Sequence, residues 1–373
     1  MSFFPLTHLS NKAQISVDEP APFKLLNPKT VEEAVRMLND HGPEAVVLAG
    51  GCDILEKIKT QWVRPKFVVN LKSINNFIVV DGIKLTGERL KEYQTHFQGK
   101  NPDVEYKFRQ DNEEFIFTAR DTLFDVESSR TAPTALRQAA RRVASPQIRN
   151  IGTLVGNVLQ DSRCPYYRGP WNCYRAGGNT CDAVRGYTHE HALWGGERCY
   201  TVSPSDTAPA LVALESSVDI ISPRGRRTTP IENLFVLPSF DIKSMHSLAA
   251  DELIVLIEVP PANPRGIRYS AFHKAAQRNT WDFALASCAI AAHMDGERVS
   301  SIRVVLGAVA PTPHRALEAE KILVGTNLKD HIEDAVLASV SGAEPLPHNH
   351  YKIGLVKNLV RECLEDIVLQ NKI

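Results

Sequence analysis

Between Phe23 and Leu71, short apolar runs alternate with amphipathic stretches. Phe23-Lys24-Leu25-Leu26 reads as a short strand. Thr30 is then placed to cap a helix, with Glu33 three positions on as in a capping box. Val31, Ala34, Val35 and Leu38 recur at helical spacing, and Gly42-Pro43 ends the pattern. Ala45-Val46-Val47-Leu48-Ala49 is a continuous apolar run, expected to be a buried strand. It leads into Gly50-Gly51-Cys52-Asp53 and a second helix-like stretch, and Phe67 to Leu71 is a further strand. This β-α-β alternation indicates an α/β unit.

The pattern then changes. Residues 87–115 are polar and charged with little periodicity, as in a surface insertion. Asp125 to Arg142 predicts one helix with Leu136, Ala139, Ala140 and Val143 facing inward, stopped by Ser145-Pro146. Residues 148–163 form a second Gly-containing turn. Thr207 to Leu214 is an apolar helix, Val218 to Ile221 a strand, and Pro223 to Arg226 a hairpin turn. Residues 251–262 supply a strand that closes this unit. A new unit starts near Pro264: a strand (Ile267 to Lys274), an apolar stretch (Phe283 to Met294), a turn at Asp295-Gly296, a strand (Val299 to Val309), then helices.

Composition narrows the class. The 373 residues suffice for two or three domains with their own cores. Lys+Arg and Asp+Glu both number 43, so no net charge points to nucleic acid or an anionic membrane surface. No apolar run is long enough to span a bilayer. MSFFPLTHLSNKAQ lacks the basic flank and apolar core of a signal peptide, so a cytoplasmic location is expected.

The chemistry concentrates in three places. Cys164, Cys173, Cys181 and Cys199 fall in one stretch, spaced C-x8-C-x7-C-x17-C, whereas Cys52, Cys288 and Cys363 are scattered. In a reducing compartment, clustered thiols bind metal or do redox chemistry more often than they form structural disulfides. The spacing has no short C-x2–4-C pair, so an iron–sulfur cluster, a zinc staple, unbound thiols and a disulfide all stay open on spacing alone. His189 and His191 lie inside the loop as further donors or as surface residues. Ala49-Gly50-Gly51-Cys52-Asp53 lets backbone amides approach a pyrophosphate, or is an ordinary left-handed turn. Ile148 to Asn157 (IRNIGTLVGN) again offers glycines, a hydroxyl and an amide. Two such turns about 100 residues apart are expected to converge on the two phosphates of one dinucleotide. Lys274, Arg278 and Asp282 are spaced for one helix face, as in a solvated ion-pair stripe.

These features together resemble the FAD-binding medium subunit of the molybdenum hydroxylases, the group of xanthine dehydrogenase, carbon monoxide dehydrogenase and 4-hydroxybenzoyl-CoA reductase. "FKLLNPKTVEEAVRMLNDHGPEAVVLAGGCDIL" is similar to the family's opening strand, helix and AGGTDL loop. "ASPQIRNIGTLVGN" is similar to its IRNxGTxGGN loop, "SDTAPALVAL" to its Asp-x-x-Pro helix start, and "GAVAPTPHRALEAEKIL" to its C-terminal domain. The resemblance implies an α+β fold: a two-subdomain FAD-binding domain (PCMH/vanillyl-alcohol-oxidase-like) followed by a C-terminal α+β domain of the CO dehydrogenase flavoprotein type. The expected units are 1–72, 73–262 with the 87–115 insertion and a Cys-rich loop at 161–200, and 263–373.

It also implies a non-covalent FAD on Ala49, Gly50, Gly51, Cys52, Asp53 and Ile54 and on Gly152, Thr153, Gly156 and Asn157. Asp206 would lie near the flavin end, with Phe272 by the isoalloxazine ring and Lys274 matching the family pattern. Cys52 stands where the family has Thr. Val155 replaces the first glycine of a Gly-Gly pair and would crowd a backbone that needed positive φ. The sequence DSRCPYY at 161–167 and Cys173-x7-Cys181 resemble the 4-hydroxybenzoyl-CoA reductase type, whose loop holds a [4Fe–4S] cluster. Cys164, Cys173, Cys181 and Cys199 would be the ligands. The implied protein is an oxidoreductase subunit without a general acid or base of its own. It would relay electrons between an external carrier, such as a ferredoxin, and a [2Fe–2S] small subunit and molybdenum-cofactor large subunit. The alternative is a stand-alone FAD oxidoreductase with a zinc-stapled loop.

Overall fold

A computed structural model describes residues 20–74, 115–260 and 267–372. The polar stretch at 87–115 lies outside the described residues, apart from Phe115, where a strand begins.

Thr30 caps the first helix as its chemistry requires, its hydroxyl accepting the Glu33 amide at 3.1 Å. The Glu33 carboxylate turns back to the Lys29 amide at 2.6 Å, one residue ahead of the cap. Strand β1 (Lys24–Leu26), helix α1 (Val31–His41), strand β2 (Ala45–Leu48), helix α2 (Ile54–Lys59) and strand β3 (Phe67–Asn70) build the first unit. Its sheet is parallel, in the order β1-β3-β2. Strand β2, expected to be buried, is half-buried, because it forms an edge of this sheet and only β3 has neighbours on both sides.

The second unit starts with β4 (Phe115–Thr118). The single helix expected from Asp125 to Arg142 is two, α3 (Leu123–Ser128) and α4 (Thr134–Arg141). Pro133 separates them: it lacks the amide that a continuous helix would bond, and it stands at the N-cap of α4. Leu136, Ala139, Ala140 and Val143 are buried, as their spacing requires. Three one-turn helices follow, α5 (Pro146–Arg149), α6 (Leu154–Val158) and α7 (Pro165–Arg168), then α8 (Thr207–Ala213). Strands β5 (Ser217–Ser222), β6 (Gly225–Pro230) and β7 (Leu253–Val259) complete an antiparallel sheet of order β4-β7-β5-β6. Leu26, Val35 and Val69 of the first unit share one core with Leu136, Leu211 and Ile257 of the second.

The third unit holds β8 (Ile267–Ala275), β9 (Ala286–Asp295), β10 (Arg298–Gly307) and β11 (His314–Arg315), an antiparallel sheet in reverse sequence order. Helices α9 (Leu317–Leu323), α10 (Ile332–Ala338) and α11 (Tyr351–Gln370) complete it. Val356, Val360, Leu364 and Ile367 of α11 enter its core beside Ile290 and Val304. Lys274 is therefore in a strand and Arg278 and Asp282 in the loop after it, so the helix face expected for these three is not formed. Arg278 and Asp282 still pair at 2.6 Å. The whole is an α+β fold. Among the described residues, no helix is long and apolar enough to cross a membrane.

Candidate functional site

The two glycine turns meet. A Cβ on Gly50 would stand 2.5 Å from the Ile151 carbonyl oxygen and 2.8 Å from Gly152 Cα, so only glycine permits the contact. Gly51 adopts φ +89°, the left-handed region that glycine enters freely. Thr153 caps α6, its hydroxyl accepting the Gly156 amide at 3.0 Å. Asn157 turns inward, its side-chain oxygen accepting the Ser205 and Thr207 hydroxyls, each at 2.7 Å. Thr153 and Asn157 thus use their side-chain oxygens to shape the turn. Val155 is the second residue of α6 and buried, and it is not among the residues with positive φ, so it imposes no strain. Cys52 is exposed; partial burial raises its thiol pKa, with Lys72 opposing.

The joined turns form one wall of a cleft of about 530 Å³. Ala49, Gly50, Gly51, Cys52, Asp53, Ile54, Gly152, Thr153, Gly156, Asn157 and Asp206 all line it. Burial pushes the Asp206 carboxyl up, while the Lys274 ammonium, 2.5 Å away, opposes this. Lys274 also donates to the Arg142 carbonyl at 3.1 Å. Lys274 does not line the cleft but pairs with Asp206, which does. Phe272 does not line it either: its ring lies in the main core, and its amide donates to Gln138 Oε1 at 2.8 Å. The aromatic side chains at the cleft are Trp281 and Phe283. Trp281 holds φ +74°, and its amide donates to the Ala144 carbonyl at 2.9 Å.

The cysteine loop begins at the rim of this cleft. All seven cysteines are free thiols. Burial pushes the Cys164 thiol up to about 12, and Cys199 and Cys173 add to the shift. Cys181 and Cys199 are also raised, first by burial and then by their neighbours: Cys173 for both, and Cys181 for Cys199. Cys173 is thus near enough to the other three thiols to influence each of them. Among the described residues, no three His, Cys, Asp or Glu side chains close on one point as a single ion requires. His191, which the sequence left between a donor and a surface residue, is buried, with Nε2 3.4 Å from Cys164 Sγ. His189 is half-buried and stacks on Tyr187 at 4.2 Å.

Sequence reasoning missed the residues that tie loop to cleft. Arg163 lines the cleft and pairs with Asp53 at 2.7 Å, and Lys57 pairs with Asp161 at 2.9 Å. The only local signal was the alternation of opposite charges beside both motifs. Nothing in the sequence marked Trp281.

Residues 105–262 match the FAD binding domain in molybdopterin dehydrogenase, and residues 271–367 the CO dehydrogenase flavoprotein C-terminal domain. Over 236 residues the chain is 34% identical to the aldehyde oxidoreductase FAD-binding subunit of Escherichia coli (strain K12), covering 62% of this chain and 70% of that one. The chain belongs to the FAD-binding subunits of the molybdopterin dehydrogenases. This FAD-binding subunit is also 26% identical to the carbon monoxide dehydrogenase medium chain of Hydrogenophaga pseudoflava, over 92% of its own length and 96% of the relative's. A solved structure of carbon monoxide dehydrogenase from that organism superposes with a TM-score of 0.67 at 25% identity, covering 94% of this chain and 98% of that one. Quinoline 2-oxidoreductase from Pseudomonas putida 86 shares the fold, with a TM-score of 0.65 at 21% identity and coverage of 95% and 99%.

Proposed function

We propose that this subunit is the electron relay of a molybdenum hydroxylase complex, with FAD in the cleft and a [4Fe–4S] cluster on Cys164, Cys173, Cys181 and Cys199. The observation that carries the reading is the glycine-walled cleft, lined by Arg163, the residue before Cys164; the influence of Cys173 on the Cys164, Cys181 and Cys199 thiols supports the cluster. The residues suit both groups. Gly50 and Gly152 let the two turns pack backbone to backbone in the cleft wall, and the cleft volume is ordinary for a cofactor site. A cubane cluster holds its thiolates at separate corners, so its ligands need proximity without sharing one point.

FAD supplies exchange between two-electron and one-electron carriers, and an iron–sulfur cluster supplies one-electron transfer. This chain's own residues bind and orient. Asp53, Ile54, Thr153 and Asn157 shape the two turns; Asp206, fixed by Lys274, places a carboxyl in the wall; Trp281 and Phe283 offer aromatic surface. The proposed partners are a [2Fe–2S] small subunit, a molybdenum-cofactor large subunit where substrate reacts, and an external carrier of the ferredoxin class. The start of the loop, Asp161 to Tyr167, and the Cys173-x7-Cys181 pair support the 4-hydroxybenzoyl-CoA reductase type.

The test is a visible spectrum with iron, sulfide and flavin analysis on protein purified without oxygen. About four irons and about one FAD per chain are expected. FAD with zinc, or with no metal, would overturn the cluster; no FAD would overturn the cleft assignment.

A further inference from the structure

The turn that walls the cleft is not held by its own neighbours alone. Asp53 accepts from Arg163 at 2.7 Å, from Arg168 at 2.9 Å and from the Asp161 amide at 3.1 Å. One turn along α2, Glu56 accepts from Arg163 at 2.8 Å and from Arg168 at 3.3 Å. Lys57 answers with Asp161 at 2.9 Å. Asp53, Glu56 and Lys57 thus all find partners in residues 161–168, at the head of the cysteine loop. The arginine side chains are about four-fifths covered, at 22% and 18% exposure, so solvent screens these pairs less than open surface pairs.

The loop end of this latch is itself fixed to the thiols. Arg168 Nε donates to the Ser162 carbonyl at 2.7 Å, and the Ser162 hydroxyl accepts the Cys164 amide at 3.2 Å. The Arg163 guanidinium lies 4.9 Å over the Phe283 ring at the cleft. Between α6 and α8, residues 159–206 contain no strand and no helix longer than one turn. A segment of that length without regular structure pays much conformational entropy when ordered, and metal ligation is a common way to offset it.

We propose that Arg163 and Arg168 are positioning residues that hold the Gly50–Asp53 turn in its cofactor-binding shape, so that occupancy of the four thiols and affinity for FAD rise and fall together. The inference rests on reading the cleft as an FAD site and the thiols as a cluster site. Linkage makes it reciprocal: if the ordered loop favours FAD, bound FAD must favour the loaded loop by the same factor.

The experiment measures the FAD dissociation constant by flavin fluorescence on the purified full chain, before and after anaerobic removal of iron by a chelator, with iron counted each time. A loss of at least tenfold in FAD affinity on iron removal is expected, and faster iron loss from FAD-free protein. Arg168→Gln and Arg163→Gln should each weaken FAD binding in iron-loaded protein and shrink the effect of the chelator. Arg168→Lys should rescue only in part, because an ammonium cannot span Asp53 and Glu56 as a guanidinium fork does. If an arginine variant fails to fold, Glu56→Gln, at a half-exposed side chain, loosens the same latch more gently. Equal FAD affinity with and without iron, in protein shown to bind both, would overturn the coupling and leave the two cofactor assignments standing. A chain that takes up no iron would overturn the cluster reading and the coupling with it.

Discussion

Gly50 has no room for a methyl group. Its added Cβ would meet backbone atoms of the opposing turn, which cannot swing aside as a flexible side chain can. Gly50→Ala is therefore expected to part the two turns, cost about 1–3 kcal/mol as overpacking does, and lower bound flavin, read by urea denaturation and the flavin-to-protein absorbance ratio. Gly354 is the opposite case: it lies exposed inside α11, where a Cβ meets nothing within 4 Å. Gly354→Ala should add up to about 1 kcal/mol by helix propensity and leave flavin content alone. The family departures at Cys52 and Val155 have different outcomes in space. Val155 sits comfortably in a helical turn. Cys52 leaves an exposed thiol in the cleft wall, its Sγ 3.7 Å from where a Gly152 Cβ would be.

Short elements around the cleft depend on their caps more than on their length. Helix α3 has six residues and a complete capping box: the Thr122 hydroxyl accepts the Asp125 amide at 3.2 Å, and the Asp125 carboxylate accepts the Thr122 amide at 2.8 Å. Leu123, its first residue, lines the cleft. Thr122→Ala is expected to cost about 1 kcal/mol, measured by chemical denaturation, with weaker flavin retention because the cleft floor frays. Caps and apolar periodicity are local, which is why α1, α8, β5 and the hairpin into β6 were legible in the sequence. The break at Pro133 was overlooked because the apolar spacing of Leu136, Ala139 and Ala140 drew the helix back across it. The glycine turns were legible because close approach leaves a compositional mark. Phe272 and Trp281 were not, since which aromatic ring reaches a cleft depends on how a loop after β8 folds back on Ala144, a contact across more than a hundred residues. Likewise the latch residues Arg163 and Arg168 gave no signal by themselves, because ion pairs over such separations follow from topology.

At the scale of the molecule, acid weakens the fold through histidines that burial holds neutral. His246 donates its Nε2–H to the Val158 carbonyl at 3.1 Å, and His314 stacks on Trp194 at 4.4 Å. Burial lowers both from 6.5 to about 4. Unfolded chain binds these protons first, so stability is full above pH 6.5 and falls as pH drops towards 4. Melting temperature should decline over that window, and His314→Phe should flatten part of the decline.

The cysteine loop is also fastened at its far side. The His348 amide donates to Thr188 Oγ1 at 3.0 Å, Asn349 Nδ2 to the His191 and Ala192 carbonyls at 3.0 and 3.1 Å, and the Tyr351 hydroxyl to the His189 carbonyl at 2.8 Å. Trp194 Nε1 donates to the Ser341 carbonyl at 3.0 Å, and the Glu344 amide to that of Leu193 at 2.8 Å. These partners follow the loop by some 160 residues of synthesis. A ribosome therefore delivers all four thiols well before the segment that fastens them, so the loop gains its far-side fastening only late in synthesis.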